Sequence, residues 1–197
     1  MKPPFALDLS EDGLALLFRV AAGWAELGRV SFDAPDLAAR LADLRARADA
    51  LAPGAVVTKL ILPEAQILYT DVDAPGPDAA SRRAQIAAAL EGRTPYSVEE
   101  LSFDWSRIGG RVKVAVVARL TLEEAEAFAE AQGFNPVAFV AIPPSGSFAG
   151  EPFFGLARNA AQHLPEGARL DRDQDPVQRV EMPAEIAATL GAASSRN

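Results

Sequence analysis

The sequence predicts an α/β (α+β) domain built on a mixed sheet with flanking helices. Three short apolar runs follow one another near the start, separated by turns, as in an antiparallel meander. Further apolar runs of strand length then alternate with stretches whose apolar residues recur at helical spacing. A strand–helix–strand unit at 111–143 closes this pattern. At 197 residues, with 49% hydrophobic and 23% charged residues, the chain suits one domain or one domain divided into two lobes.

Residues 5–10, 14–20 and 24–32 form the meander, with turns at Gly13 and at Ala21, Ala22 and Gly23. A helix follows, with Asp36 placed to cap it. Leu37, Leu41, Leu44, Ala48 and Leu51 fall on one face, and Pro53 and Gly54 end it. Residues 55–62 are a strongly apolar strand, Pro63 and Glu64 break it, and 65–72 resume extended structure. After the loop Pro75, Gly76, Pro77, Asp78 caps a helix to about Glu91 with Ile86 and Leu90 inward, and Gly92 ends it.

A loop over 94–101 leads to a strand at 101–105. Ile108, Gly109, Gly110 and Arg111 read as a hairpin turn, because paired glycines supply the positive φ of a two-residue turn. A strand over 111–120 returns from it. Thr121 with Glu124 reads as a capping box opening a helix to Gln132, with Gly133 as C-cap and a strand at 137–142. Strands joined in this way are expected to lie parallel with a right-handed crossover. Beyond Pro143 and Pro144 the texture becomes rich in Gly, Ser, Pro and charge, so 145–197 reads as an irregular C-terminal tail with short helices. Its polar end, from Ser194 to Asn197, suits a cut within a linker.

Composition closes several functional classes. Without cysteine there are neither disulfides nor thiolate metal sites. The lone histidine, His163, has no nucleophile motif around it, so a hydrolytic triad and a zinc site are both out of reach. Walker-type loops and GxGxxG are absent. The formal net charge of −8 lacks the field that draws proteins to nucleic acid. The basic groupings, Arg82 with Arg83 and Arg107 with Arg111, read as solvated faces. No apolar run approaches the ~20 residues of a membrane span, and no signal-peptide pattern opens the chain, which predicts a cytoplasmic protein. Asp8, Asp71, Asp73 and Asp104 lie at predicted strand ends, where RNase H-like nucleases hold metal ions. Strand-end aspartates are equally ordinary turn formers.

From Leu62-Pro63-Glu64 onward a family pattern emerges. A strand break at Leu62 and Pro63 precedes an extended segment ending in Asp71-Val72-Asp73-Ala74-Pro75. Next come an Ala/Gln-rich helix, an acidic turn at 94–104 and the strand at 112–119, and last Gly133, Phe134, Pro136 and Val137. In this order and spacing the chain resembles the cytoplasmic actin-like module of the pilus-assembly protein PilM and the type II secretion protein GspL. The resemblance covers 60–143. It implies an RNase H-like/actin-like fold with a small inserted β-α-β subdomain at roughly 63–110, within a first-lobe domain at 1–144. Such ATPases open with a phosphate loop, and the matching positions here are Asp8, Ser10 and Gly13. Leu9 stands where a glycine would let backbone approach phosphate, and Glu11 and Asp12 would repel it.

These readings converge on a non-catalytic scaffold or adaptor module without cofactor or metal. It would bind a protein partner, an assembly or envelope component, through a sheet edge or helix face, without nucleic acid or membrane insertion, and with self-association as a further option. The alternatives are a degenerate actin-like nucleotide-binding domain and an RNase H-like metal-dependent nuclease.

Overall fold

The computed structural model describes residues 1–194. The meander forms as expected. β1 (Phe5–Leu9) pairs antiparallel with β2 (Gly13–Val20), and β2 with β3 (Gly23–Ser31). β1 continues sideways into parallel pairing with β4 (Thr58–Ile61), and β4 into parallel pairing with β8 (Pro136–Val140). With β9 (Phe153–Leu156) and β10 (Arg179–Val180) the order is β10-β3-β2-β1-β4-β8-β9. A second, three-stranded sheet has the order β5-β7-β6, from β5 (Ile67–Val72), β6 (Leu101–Ile108) and β7 (Arg111–Ala118).

Alternation along the central strands explains why both faces of the large sheet are buried. Phe5, Leu7 and Leu9 of β1, with Leu14 and Leu16 of β2, face the main core. Helices α1 (Leu37–Leu51) and α3 (Arg119–Ala131) supply Leu41, Leu44, Leu122 and Ala129 to it. Ala6, Ala15, Leu17 and Ile61 face the other way, onto Trp24, Val140 and Val177. α2 (Ala79–Leu90) covers one face of the small sheet through Ile86 and Leu90.

Asp78 caps α2 as expected, accepting the Ser81 N–H at 2.7 Å. The 109–110 turn also forms, with φ of 55° and 81° at its glycines. Asp36 does not cap α1: its carboxylate is taken by Arg40 at 2.6 Å, and its backbone lacks the extended geometry of an N-cap. Nor does Thr121 cap α3. That helix starts two residues earlier, at Arg119, directly from the end of β7. A capping box forms instead at Ser97 and Glu100, inside the segment expected as a loop.

The expected parallel crossover at 111–143 is corrected. β7 already has β5 and β6 on its two edges, so β8 finds no place beside it and pairs with β4 in the other sheet. α3 therefore bridges the sheets. The inserted unit consequently extends past 110 to include β7. Residues 145–194 do contain short helices, α4 (Ala160–His163) and α5 (Ala184–Ser194), but they also supply β9 and β10 to the large sheet. Residues 195–197 lie outside the described residues.

Candidate functional site

Asp8, Ser10 and Gly13 lie in and beside the tight turn from β1 to β2. The turn is closed on itself. The Ser10 N–H and hydroxyl both donate to the Gly13 carbonyl at 2.9 Å, and the Gly13 N–H donates back to the Ser10 hydroxyl at 3.1 Å. The Asp12 carbonyl accepts the Phe32 N–H. Glycine is required at 13 because a Cβ there would stand 2.1 Å from the Val30 carbonyl oxygen. The Leu9 side chain is buried in the core, and Asp8 pairs with Arg179, which also holds Glu26. A phosphate therefore does not fit: the Ser10 and Gly13 amides are spent within the turn, and Glu11 and Asp12 are its exposed side chains.

Beside this turn runs an apolar groove of about 350 Å³. Leu9 at the end of β1 and Leu62 just beyond β4 line it, with Pro63, Phe32, Ala125 and Phe128. Phe32 and Phe128 meet edge to face at 5.6 Å. Glu11 and Glu124 stand at the groove as acids. The β1–β2 turn thus has apolar surface and negative charge side by side.

The strand-end carboxylates are dispersed. Asp8 is on the large sheet, whereas Asp71 and Asp104 sit on strands that flank β7 in the small one. Asp71 is held by Lys113 at 2.8 Å and Arg111 at 3.0 Å, and these cations keep its carboxyl below the usual range. Asp104 accepts the Phe153 N–H at 2.9 Å and pairs with Arg172 at 2.6 Å. Asp73 lies with Asp71 along the cavity at the end of the small sheet. Among the described residues no group of three or more His, Asp or Glu side chains is placed to hold a metal ion. His163 Nε2 lies within hydrogen-bonding distance of Glu130 Oε1, at 3.3 Å. Arg82 donates to the Ala74 and Gly76 carbonyls, and Arg83 lies 4.6 Å over the Phe103 ring.

Sequence reasoning missed a buried ionic network on the tail-covered face of the large sheet. Lys59, 2% exposed, reaches Glu151 at 2.6 Å and Asp173 at 2.7 Å. Arg19 grips Asp173 with two bonds of 2.8 and 3.0 Å, and its guanidinium lies 4.2 Å over Trp24. Burial pushes the Glu151 carboxyl up to about 7, against the pull of Lys59. Burial would also raise Asp173, but hydrogen bonds from Arg19 and Lys59 outweigh it and hold that carboxyl well below its usual range. The signal was Lys59, the one charged residue of a short strand, which requires a buried counter-charge.

A seven-stranded mixed sheet with flanking helices and a separate three-stranded sheet define a mixed α/β domain. More narrowly, the fold is PilM/GspL-like. No family model matches the chain, and no curated protein matches its sequence. Among solved structures it is similar to the cytoplasmic domain of EpsL, an inner membrane component of the type II secretion system of Vibrio cholerae. That likeness has a TM-score of 0.52 and 14% identity and covers 98% of this chain and 94% of the other. It is also similar to a chain of the PilM–PilN type IV pilus biogenesis complex, with a TM-score of 0.52 and 14% identity. Here 70% of this chain matches 46% of the other, so the chain spans under half the length of that relative. At such identity the likeness is one of fold. No helix among the described residues is long and apolar enough to cross a membrane.

Proposed function

We propose that this chain is a non-catalytic adaptor of the cytoplasm that holds a segment of a protein partner in the groove beside its β1–β2 turn. The observation that carries this reading is a self-bonded turn at Ser10 and Gly13 next to an apolar groove with acidic residues. Groove and charge together suit an apolar segment carrying basic residues. The structural neighbours are parts of type II secretion and pilus assembly machines, which supports a partner from an assembly or envelope complex. The neighbours' own partners and activities are not transferred by a likeness of fold.

Ala125→Arg tests the reading, because it places a charge on the half-buried groove wall at the margin of the main core, with unchanged far-UV circular dichroism as the control for folding. Crosslinked pull-down from the cells that express the chain should return a pilus, secretion or envelope component with the wild type and lose it with Ala125→Arg. Retention by both, or the absence of any such component, counts against the groove. Calorimetry with ATP and magnesium should give no heat; a saturable signal would reinstate a nucleotide site.

A further inference from the structure

β5 leaves a regular sheet edge open, and its free hydrogen-bonding groups form a self-matching pattern. In an antiparallel ladder a residue turns both its N–H and its C=O toward the partner strand or both away. The Ile67 N–H goes to the Glu64 carbonyl, and the Asp71 carbonyl receives Arg93 at 3.5 Å. Residues 67, 69 and 71 therefore face outward. β6 confirms the parity independently. The Trp105 N–H is turned away from β7 to the Asp104 carboxylate at 3.0 Å. Its neighbours Ser102, Asp104 and Ser106 thus bond to Val117, Ala115 and Lys113 of β7, the residues opposite 67, 69 and 71. The groups remaining on the outer edge are the Ile67 C=O, the Tyr69 N–H and C=O, and the Asp71 N–H. None of them meets a partner among the described residues.

We infer that the occupant of this edge is β5 of a second copy. Two β5 strands set antiparallel about a twofold axis at Tyr69 place Tyr69 opposite Tyr69 and Ile67 opposite Asp71. Each Tyr69 N–H then donates to the other Tyr69 carbonyl, and each Asp71 N–H to the other Ile67 carbonyl. The groups left facing each other are the Ile67 N–H and the Asp71 carbonyl, and both are already bonded within their own chain. No group is orphaned and none is shared. A foreign strand would instead find these two positions occupied and leave its own groups there unpaired.

The side chains agree. Leu68 is 38% exposed on this edge and would lie opposite Thr70 of the second copy. Natural edges are usually blunted by lysine, proline or a bulge. β5, Ile67-Leu-Tyr-Thr-Asp-Val72, has none of these, and its pairing with β7 is regular throughout. The outcome is one continuous sheet joining the two small sheets across the axis.

Sedimentation equilibrium and amide hydrogen exchange of the whole chain test the inference together. A dimer is expected, with exchange at the Tyr69 and Asp71 amides slowing as concentration rises. Leu68→Lys should weaken self-association by on the order of tenfold, through loss of one leucine contact per copy, with unchanged far-UV circular dichroism. A chain that remains monomeric at several hundred micromolar overturns the inference. So does a dimer whose Tyr69 and Asp71 amides exchange as fast as in dilute solution, or protection of these amides only when another protein is added. If Leu68→Lys fails to fold, the wild-type exchange profile still decides.

Discussion

Lys59, on a central strand of the large sheet, donates to Asp173 at 2.7 Å across 114 positions of sequence. The bond fastens the C-terminal segment over a face that would otherwise expose Ala6, Leu17 and Ile61. Glu151 closes the same contact from the start of that segment, at 2.6 Å from the lysine. The mainly apolar face thus carries a charged clasp at its centre.

Breaking the clasp from the lysine side strands the buried Glu151 carboxylate and takes one of three cations from Asp173, which keeps Arg19 and Lys2. Lys59→Met is therefore expected to destabilise the fold by roughly 3–5 kcal/mol in urea unfolding. Adding Glu151→Gln should recover most of that loss, because the uncompensated charge goes with the lysine while Asp173 stays paired with Arg19. A single variant as stable as the wild type would mean that the clasp contributes nothing.

The two carboxylates set opposite pH slopes. Glu151 titrates near 7 in the folded chain instead of near 4.5, so between those values the folded chain keeps a proton that the unfolded one has released. Its contribution to stability is present below about 4.5 and falls as pH rises through that window. Asp173 is held below its ordinary value of 3.8, so its contribution is present above that value and is lost as pH falls. Glu151→Gln cannot release a proton. Its stability relative to the wild type should rise between pH 4.5 and 7, by up to the order of 3 kcal/mol. Urea midpoints of both proteins across that range check this; parallel curves would refute it.

How much of this was legible depends on the distance between partners in sequence. The meander, the apolar stripe of α1, the Asp78 cap and the glycine hairpin at 109–110 are local patterns, and they formed. The pairing of β7 was not local. Its alternation is compatible with either sheet, and only the presence of β5 and β6 on both its edges excludes β8. The helix starts failed where a side chain had a better offer: Asp36 bonds Arg40, and Thr121 falls inside a helix launched by β7. The closed turn at 8–13 was visible as a missing glycine and added acids. The clasp was not, since Glu151 and Asp173 sit in a stretch whose composition reads as irregular.

Tyr69 carries a buried hydroxyl with no hydrogen-bond partner among the described residues. Burial raises its pKa well above the usual phenol value, and the charge of Glu64 adds to this. Tyr69→Phe removes the orphaned group and keeps the ring that packs on the main core. The change should be neutral or stabilising by about 1 kcal/mol in urea unfolding. It leaves the backbone of β5 as it was, so self-association should be unaffected. A loss of more than about 1 kcal/mol would show that the hydroxyl has a partner in solution.

Asp104 joins the two sheets. One oxygen accepts the Trp105 N–H at 3.0 Å; the other accepts the Phe153 N–H at 2.9 Å and meets Arg172 at 2.6 Å. On either side, Ser102 donates to the Phe154 carbonyl and Ser106 accepts the Ala149 N–H, both at 2.8 Å. Alternate side chains of β6 thus act as the missing neighbour strand for the 149–154 backbone. Asp104→Ala leaves the Phe153 N–H without its acceptor and frees Arg172. It is expected to cost about 1–3 kcal/mol and to speed amide exchange at Ala149 and Phe153 before the rest of either sheet opens. Asp104→Asn, which keeps one acceptor oxygen, should fall between. Exchange that is unchanged over 149–154 would mean that another contact holds the sheets together. A magnesium-dependent rise in wild-type Tm that Asp104→Ala abolishes would return this carboxylate to the metal-binding role suggested by its strand-end position.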